Sequence, residues 1–263
     1  MSARRVFDEQ HYEALNSARG HVVLRLLGDL QAPLDLRTAA DVGCGVGYFS
    51  AFLNKQGLAV AAIDGREANV QEGKRRYPEL RFITANIERA EEVSSLGAFD
   101  LALCFGLLYH LENPFRAIRN LRSLTGKVLL VESMCAPGGE SSMELLDEFR
   151  AEDQGLNYVA FYPTEACLVK MLYRAGFSFV YGLLRPPEHP DFHASRSRRK
   201  ARTMLVASSE RLTCSGLALV AEPSRPWDIW PTPKLWRLWL RRLAKMVGML
   251  RPQPVPSSHA RKV

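Results

Sequence analysis

Residues 38–50 read T-A-A-D-V-G-C-G-V-G-Y-F-S, and this stretch decides the fold. It begins as a short apolar strand that contains Asp41, turns through Gly43, Gly45 and Gly47, and continues with helical character. Glycine suits such a turn because it tolerates positive φ and lets backbone N–H groups approach a ligand closely. A strand, a glycine turn and a helix start are how a doubly wound sheet presents a nucleotide-like ligand. The spacing is G-x-G-x-G, so the dinucleotide fingerprint G-x-G-x-x-G is not met.

The chain on either side of this turn alternates between apolar stretches of strand length and segments with helical spacing. After the first strand, the predicted strands cover residues 58–65, 81–86, 99–106, 127–134, 177–184 and 202–209. The last two are joined by a polar loop without a helix, so they should be antiparallel. The sequence therefore predicts an α/β fold with a doubly wound, seven-stranded, mostly parallel sheet whose last strand is antiparallel.

Three regions are predicted along the chain. Residues 1–37 carry an apolar stripe at helical spacing and are interpreted as an N-terminal helical lid or cap. Residues 38–209 form the sheet domain, in which residues 143–153 are expected to be an acidic helix of an insertion. Residues 210–263 form a basic, tryptophan-rich extension with an amphipathic helix.

Composition excludes several classes of protein. No uninterrupted apolar run of about 18 residues is present, and the N-terminus lacks the apolar segment of a secretory signal. The five cysteines are scattered without a C-x-x-C pair, which indicates reduced thiols in a cytoplasmic protein without a zinc ribbon or iron–sulfur cluster. His189 and His193 have helical i,i+4 spacing, but Pro190 disfavours a helix there, so no metal site is predicted.

The order of elements and the motifs at four successive strand ends resemble the class I S-adenosylmethionine-dependent methyltransferases. The resemblance covers roughly residues 38–209. It implies a seven-stranded, Rossmann-like domain with S-adenosylmethionine as cofactor and methyl transfer as the reaction.

The same resemblance assigns the cofactor-binding residues. The turn residues Gly43, Cys44, Gly45 and Gly47 would surround the methionine portion, with Asp41 tying the turn. Asp64, followed by Gly65, stands 21 residues after Gly43 at the end of the second strand and would accept hydrogen bonds from the ribose hydroxyls. The adenine contacts would come from Ala85, Asn86 and Ile87, and the residues beside the reactive methyl would be Phe105, Gly106 and Leu107.

Three of these residues also have a purely structural interpretation. Asp41 can be an acid that only stabilises the turn, and Asp64 with Gly65 can form a surface turn. Asn86 replaces the acid that the family often has at this position, and it can serve as a helix cap for residues 87–96.

Two residues just after the fourth strand are the catalytic candidates. His110 is the best general base because histidine titrates near neutral pH, and Tyr109 can orient the acceptor. His110 can equally be a structural residue, since many enzymes of this family act through proximity alone. Tyr12 on the N-terminal helix is a candidate substrate contact from the lid, or else a surface residue.

The sequence leaves more than one class of acceptor for the methyl group. O-methylation of a small molecule or saccharide-type acceptor is preferred, while the L-Y-H segment at residues 108–110 also resembles enzymes that alkylate a hydroxyl of the wobble uridine in transfer RNA. The basic stretch 194–202 includes Arg196, Arg198 and Arg202, which can hold phosphates of RNA or of a phosphorylated acceptor, or form a solvated loop. A methyltransferase fold kept as a non-enzymatic binding module is the third alternative.

The net charge of +7 is concentrated at the C-terminus. Eight basic residues and no acid follow residue 228, so the rest of the chain is close to neutral. Residues 234–251 place tryptophans and leucines on one helical face and arginines largely on another, as in helices that lie on anionic membranes. Peripheral attachment to the inner membrane face, docking on the protein body and contact with RNA are the alternatives for this segment.

Overall fold

The computed structural model describes residues 10–147, 156, 159–195, 199–224, 240 and 242–243. The body of the chain, residues 1–223, is one compact unit. Its helices are α1 (Gln10–Leu30), α2 (Tyr48–Lys55), α3 (Glu67–Arg76), α4 (Ala90–Ser94), α5 (Pro114–Leu124) and α6 (Glu165–Arg174). Its strands are β1 (Thr38–Val42), β2 (Ala59–Asp64), β3 (Arg81–Thr84), β4 (Phe99–Phe105), β5 (Thr125–Met134), β6 (Met143–Asp147), β7 (Val159–Pro163), β8 (Phe179–Leu183), β9 (Arg202–Ser208) and β10 (Leu217–Leu219). Short 3₁₀ helices cover Leu108–His110 and Pro190–Phe192.

The central sheet has the strand order β10-β8-β9-β5-β4-β1-β2-β3. Strands β1 to β5 are parallel to one another, whereas β9 is antiparallel to both β5 and β8. The predicted α/β class, the mostly parallel sheet and the antiparallel last pair are therefore confirmed. One strand was not predicted: β10 lies within the stretch assigned to the C-terminal extension and adds an eighth strand, antiparallel to β8.

The strands at the centre of the sheet are buried on both faces. In β4, five consecutive residues from Leu101 to Phe105 are buried, as is expected of a strand covered by helices on each side. One face packs against α5 and α6, and the other packs against α1 and α2, whose leucines Leu15, Leu26 and Leu53 are almost fully buried. The apolar stripe predicted within residues 1–37 thus lies on one long helix, α1, that covers the sheet.

The predicted acidic helix over residues 143–153 is wrong for its first part. Residues Met143–Asp147 are β6, which forms a two-stranded antiparallel hairpin with β7. Pairing with the apolar and aromatic residues of β7 outweighs the weak helical preference of the acidic stretch. All of β6 is exposed, while Tyr162 of β7 contacts Tyr109 at a ring distance of 5.6 Å. Residues 148–153 lie outside the described residues.

Residues 224–263 form a second unit, of which only positions 224, 240, 242 and 243 are described, the last three in helical conformation. The predicted membrane-binding helix over residues 234–251 therefore lies almost wholly outside the described residues and stays a prediction. Among the helices that are described, none combines the length and the hydropathy that a bilayer-crossing helix requires.

Candidate active site

A cavity of about 290 Å³ opens where β1, β2 and β4 end. Its lining combines the glycine turn, the ends of these strands and the first half of α1. A smaller cavity of about 50 Å³ lies beside it, and Gly43, Asp64, Leu107 and His110 line both. The two cavities therefore form adjacent parts of one site at the carboxyl edge of the sheet, where ligands of open α/β folds bind.

The glycine turn adopts the conformation that its sequence requires. Gly43, Gly45 and Gly47 have φ values of +76°, +55° and +95°. A Cβ on Gly43 would lie 2.9 Å from the Leu107 side chain, and one on Gly47 would lie 2.6 Å from the Phe82 ring. The turn thus needs glycine both for its left-handed backbone and for close packing.

Asp64 joins this turn to the second strand. Its Oδ2 accepts a hydrogen bond from Gly45 N at 2.9 Å, and its Oδ1 accepts from Arg66 N at 2.8 Å and from Asn69 Nδ2 at 3.2 Å. Burial raises the pKa of Asp64, and the backbone hydrogen bonds from Arg66 and Gly45 oppose the rise. Since a carboxylate has about four acceptor positions, roughly one remains for a ribose hydroxyl.

Asp41 takes the structural role foreseen for it. It is buried, it does not line either cavity, and its Oδ2 accepts a hydrogen bond of 2.6 Å from Ser50 Oγ on α2. Burial raises the pKa of Asp41 to about 7, although the Ser50 hydrogen bond opposes this. Asp41 therefore ties the strand before the turn to the helix after it.

The smaller cavity contains the predicted adenine-contacting residues. Ala85, Asn86 and Ile87 line it together with Gly65. The Asn86 side-chain oxygen accepts a hydrogen bond from Glu88 N at 2.9 Å, so its capping role is present in the structure alongside its place in the cavity wall. Leu156 also lines this cavity and approaches to 3.1 Å from where a Cβ on Gly65 would lie.

The end of β4 forms the opposite wall of the larger cavity. Phe105 packs edge-on against Phe49 of α2 at a ring distance of 5.1 Å, and Gly106 turns the chain with φ +68°. Leu107 packs over the glycine turn at Gly43. These three residues, next to the glycine turn, are those for which the family resemblance implies a place beside the reactive methyl.

Tyr109 and His110 extend this wall. Their rings are 4.1 Å apart, and both residues line the larger cavity. His110 also lines the smaller cavity, so it stands at the junction of the two. Tyr109 is buried, with the guanidinium of Arg202 lying 5.6 Å from its ring centre.

A buried ionic network behind this wall was missed by the sequence analysis. Glu132 at the end of β5 is fully buried, and its two oxygens bind Arg19 Nη2 at 2.6 Å and Arg202 Nη1 at 3.1 Å. Arg202 Nη1 also donates to the Tyr109 hydroxyl at 3.4 Å, and Arg202 Nε binds Asp191 at 3.3 Å. The sequence offered one signal for it, the acidic residue Glu132 inside the apolar strand 127–134. A buried acid requires charged or hydrogen-bonding partners, so this residue could have indicated a buried network.

The charges of this network depend on burial and on their neighbours. Burial lowers the pKa of Arg19, and Glu132 opposes that effect. Burial alone would also lower the pKa of Arg202. The interactions with Tyr109 and Glu132 outweigh that effect, so the pKa of Arg202 is raised. Arg19 Nε is buried and makes no hydrogen bond within the described part of the chain, although the residue lines the larger cavity.

The basic stretch 194–202, predicted either to hold phosphates or to form a solvated loop, includes residues that form ion pairs within the protein. The predicted phosphate contact at Arg202 is wrong, because its side chain is buried and engaged with two carboxylates. Lys200 pairs with Glu165 of α6. Arg196 and Arg198 lie outside the described residues. The remaining predicted substrate contact, Tyr12, lines the larger cavity from α1, together with Glu13 and Asn16.

Residues 40–127 match the family model described as a methyltransferase domain. This match spans the glycine turn, Asp64 and the Tyr109–His110 wall, and it agrees with the strand order of the sheet. The match agrees with the resemblance to the class I S-adenosylmethionine-dependent methyltransferases seen in the sequence. The cavities at the carboxyl edge of the sheet lie where this resemblance places a donor site.

Named relatives extend the likeness beyond the family model. The chain is 31% identical over 159 residues to the tRNA U34 carboxymethyltransferase of Actinobacillus succinogenes, a match that covers 57% of this chain and 47% of the relative. It is 30% identical over 158 residues to the enzyme of the same name from Tolumonas auensis, with the same coverage. The matched part therefore spans about half the length of these curated relatives.

Solved structures agree with the fold. The N-terminal domain of EvdMO1, crystallised in the presence of S-adenosylhomocysteine and D-fucose, superposes with a TM-score of 0.58 at 19% identity, covering 77% of this chain and 85% of that one. Magnesium protoporphyrin IX methyltransferase from Synechocystis PCC 6803, with S-adenosylmethionine bound, has a TM-score of 0.52 at 21% identity, covering 79% and 89%. At these identities the likeness concerns the fold alone.

Proposed function

We propose that the protein transfers a methyl group from S-adenosylmethionine to a hydroxyl of a uridine in transfer RNA. The observation that carries this proposal is the continuity of the site: His110 lines both the cavity with the adenine-type residues and the cavity beside Gly106. An acceptor hydroxyl at His110 is therefore next to the donor carbon. The relatives named tRNA U34 carboxymethyltransferase support RNA over the small-molecule or saccharide acceptor that the sequence analysis preferred.

Different residues of this chain have different roles in an in-line displacement. The glycine turn and Asp64 hold the donor, and Phe105 with Leu107 keeps water away from the sulfonium. His110 takes the proton from the acceptor hydroxyl as the carbon–oxygen bond forms and the carbon–sulfur bond breaks. Tyr109, held by Arg202, orients the acceptor.

The charges around the larger cavity favour a neutral transferred group. Glu13 and Asp64 in the lining balance Arg19 and Arg76, and Glu132 behind the wall already engages Arg19. No net positive charge is left in this lining for the extra carboxylate of a carboxymethyl group. We therefore propose methyl as the transferred group, in contrast to the carboxymethyl group in the relatives' names.

The test offers radiolabelled S-adenosylmethionine and its carboxymethyl-sulfonium analogue to the full chain with transfer RNA that carries a hydroxylated wobble uridine. We expect label from S-adenosylmethionine in the wobble nucleoside after nuclease digestion and chromatography, and little label from the analogue. In a parallel reaction, saccharides replace the RNA as the acceptor. Label in the sugars but not in RNA would contradict the acceptor, and preference for the analogue would contradict the transferred group.

A further inference from the structure

A second cluster of potential ligands lies next to the buried network and does not line the donor cavity. His11 is in the first turn of α1, while His189 and Asp191 are in the turn before β9. One ligand atom from each lies within 4.8 Å of the other two. The rings of His11 and His189 are 5.3 Å apart, and His189 Nδ1 is 3.7 Å from Asp191 Oδ2. Three metal-ligating side chains thus converge from two distant parts of the chain.

We propose that His11, His189 and Asp191 bind a divalent transition-metal ion of the zinc type, with one coordination position left for water. Two imidazoles and one carboxylate are donors that zinc accepts, and three protein ligands with one open position are a common zinc arrangement. Bonds of 2.0–2.1 Å would bring tetrahedral ligand atoms about 3.3 Å apart, so the cluster must contract by at most about 1.5 Å. His11 is exposed and supplies this movement by rotating its side chain.

The two buried ligands are in suitable states. His189 Nδ1 accepts a hydrogen bond of 3.3 Å from Asp191 N, so this nitrogen carries a lone pair, and a bound ion would replace that hydrogen bond. Arg202 Nε donates to Asp191 Oδ2 and orients the carboxylate, as outer partners of metal ligands generally do.

The position of the cluster indicates what a bound ion would stabilise. Tyr12 and Glu13, which follow His11, line the donor cavity, whereas Asp191 reaches Tyr109 through Arg202. An ion at this point would join the first turn of α1 to the turn before β9. It would therefore hold one wall of the donor cavity in place without touching the donor.

The test uses the full-length protein, freed of metal by a chelator and then titrated with Co²⁺ alone. We expect one Co²⁺ per chain, the visible absorption typical of low-coordinate Co²⁺, displacement by Zn²⁺, and a higher melting temperature with Zn²⁺ than without. Less than about a tenth of an equivalent of bound metal at saturating Co²⁺ would overturn the proposal.

Matched histidine variants locate the site. His11→Gln removes an exposed ligand and should weaken Co²⁺ binding at least tenfold, while His21→Gln changes another exposed histidine of the same helix and should leave binding unchanged. Equal binding by His11→Gln and the unaltered protein would assign the metal to another place and contradict the proposal. His189→Gln is the second test, and His11→Gln decides the question even where this buried substitution prevents folding.

Discussion

The carboxylate of Asp64 has two tasks, because it holds the glycine turn through Gly45 N and faces both cavities. Asp64→Asn keeps the shape but removes the charge and one acceptor. We expect binding of S-adenosylhomocysteine to weaken at least tenfold, measured by isothermal titration calorimetry. Asp147→Asn, at an exposed carboxylate on β6, is the control and should bind like the unaltered protein. Equal affinities for both variants would show that Asp64 does not contact the donor.

His110 and Tyr109 share a wall but differ in their expected chemistry. If His110 is the base, His110→Ala should lower kcat on the order of 10²-fold, because proton removal is lost in the transition state. Donor affinity, measured separately, should change much less. His21→Ala is the control on α1. A fall in kcat of less than about threefold would assign His110 a structural role in the wall.

Asp41 makes stability depend on pH. Its pKa is raised from 3.8 to about 7, so between these values the folded protein holds a proton that the unfolded chain has lost. The free energy of unfolding should therefore fall as pH rises from about 4 to 7, by about 4 kcal/mol from this group alone. Asp41→Asn should flatten this dependence in urea titrations at several pH values. An unchanged pH profile would mean that Asp41 is ionised throughout.

At the scale of elements, two glycines with positive φ allow backbone strain and steric clash to be separated: Gly43 in the glycine turn and Gly57 after α2. Gly57→Ala places a Cβ at a left-handed position with open space around it, and should cost roughly 1–2 kcal/mol. Gly43→Ala adds a clash with Leu107 to the same backbone cost, so it should destabilise the protein further and weaken donor binding. Chemical denaturation and calorimetry measure the two effects. Equal stability of the two variants would show that Leu107 moves aside without cost.

The elements that sequence predicted best are those specified by their own residues. The strands of the sheet carry apolar runs, and α5 carries its cap at Asn113 and its proline at the first position. Prediction failed at β6, whose acidic sequence has no strand pattern and depends on pairing with β7. It also missed β10, which is three residues long and is defined only by its contact with β8. Such elements are specified by partners distant in sequence.

At the scale of the whole molecule, Glu132 connects three distant segments. Its partners Arg19 and Arg202 lie 113 and 70 residues away along the chain. That the predicted cofactor residues would meet at one edge of the sheet could be predicted because each follows its own strand, whereas no local pattern indicates which buried charges pair. The lining of the two cavities was therefore predictable, and the ionic network behind Tyr109 was not.

Removing the central charge of this network should be costly. Glu132→Gln leaves two buried guanidinium groups with only one carboxylate, Asp191, between them, and should lower the free energy of unfolding by about 3–5 kcal/mol. Glu72→Gln breaks partly exposed ion pairs on α3 and should cost far less than the buried substitution. Urea unfolding monitored by far-ultraviolet circular dichroism compares the free energies of unfolding of the two variants. A similar small effect for both variants would contradict the importance of the buried network.

The connection from Arg19 through Glu132 to Arg202 also bears on how the chain matures during synthesis. A nascent polypeptide reaches Glu132 with Arg19 already made, but Arg202 is still seventy codons from the ribosome's active centre. Until that arginine leaves the exit tunnel, the glutamate has only half of its final partners. Ribosome-bound chains stalled shortly before residue 202 should consequently remain sensitive to protease, and those released well beyond it should resist.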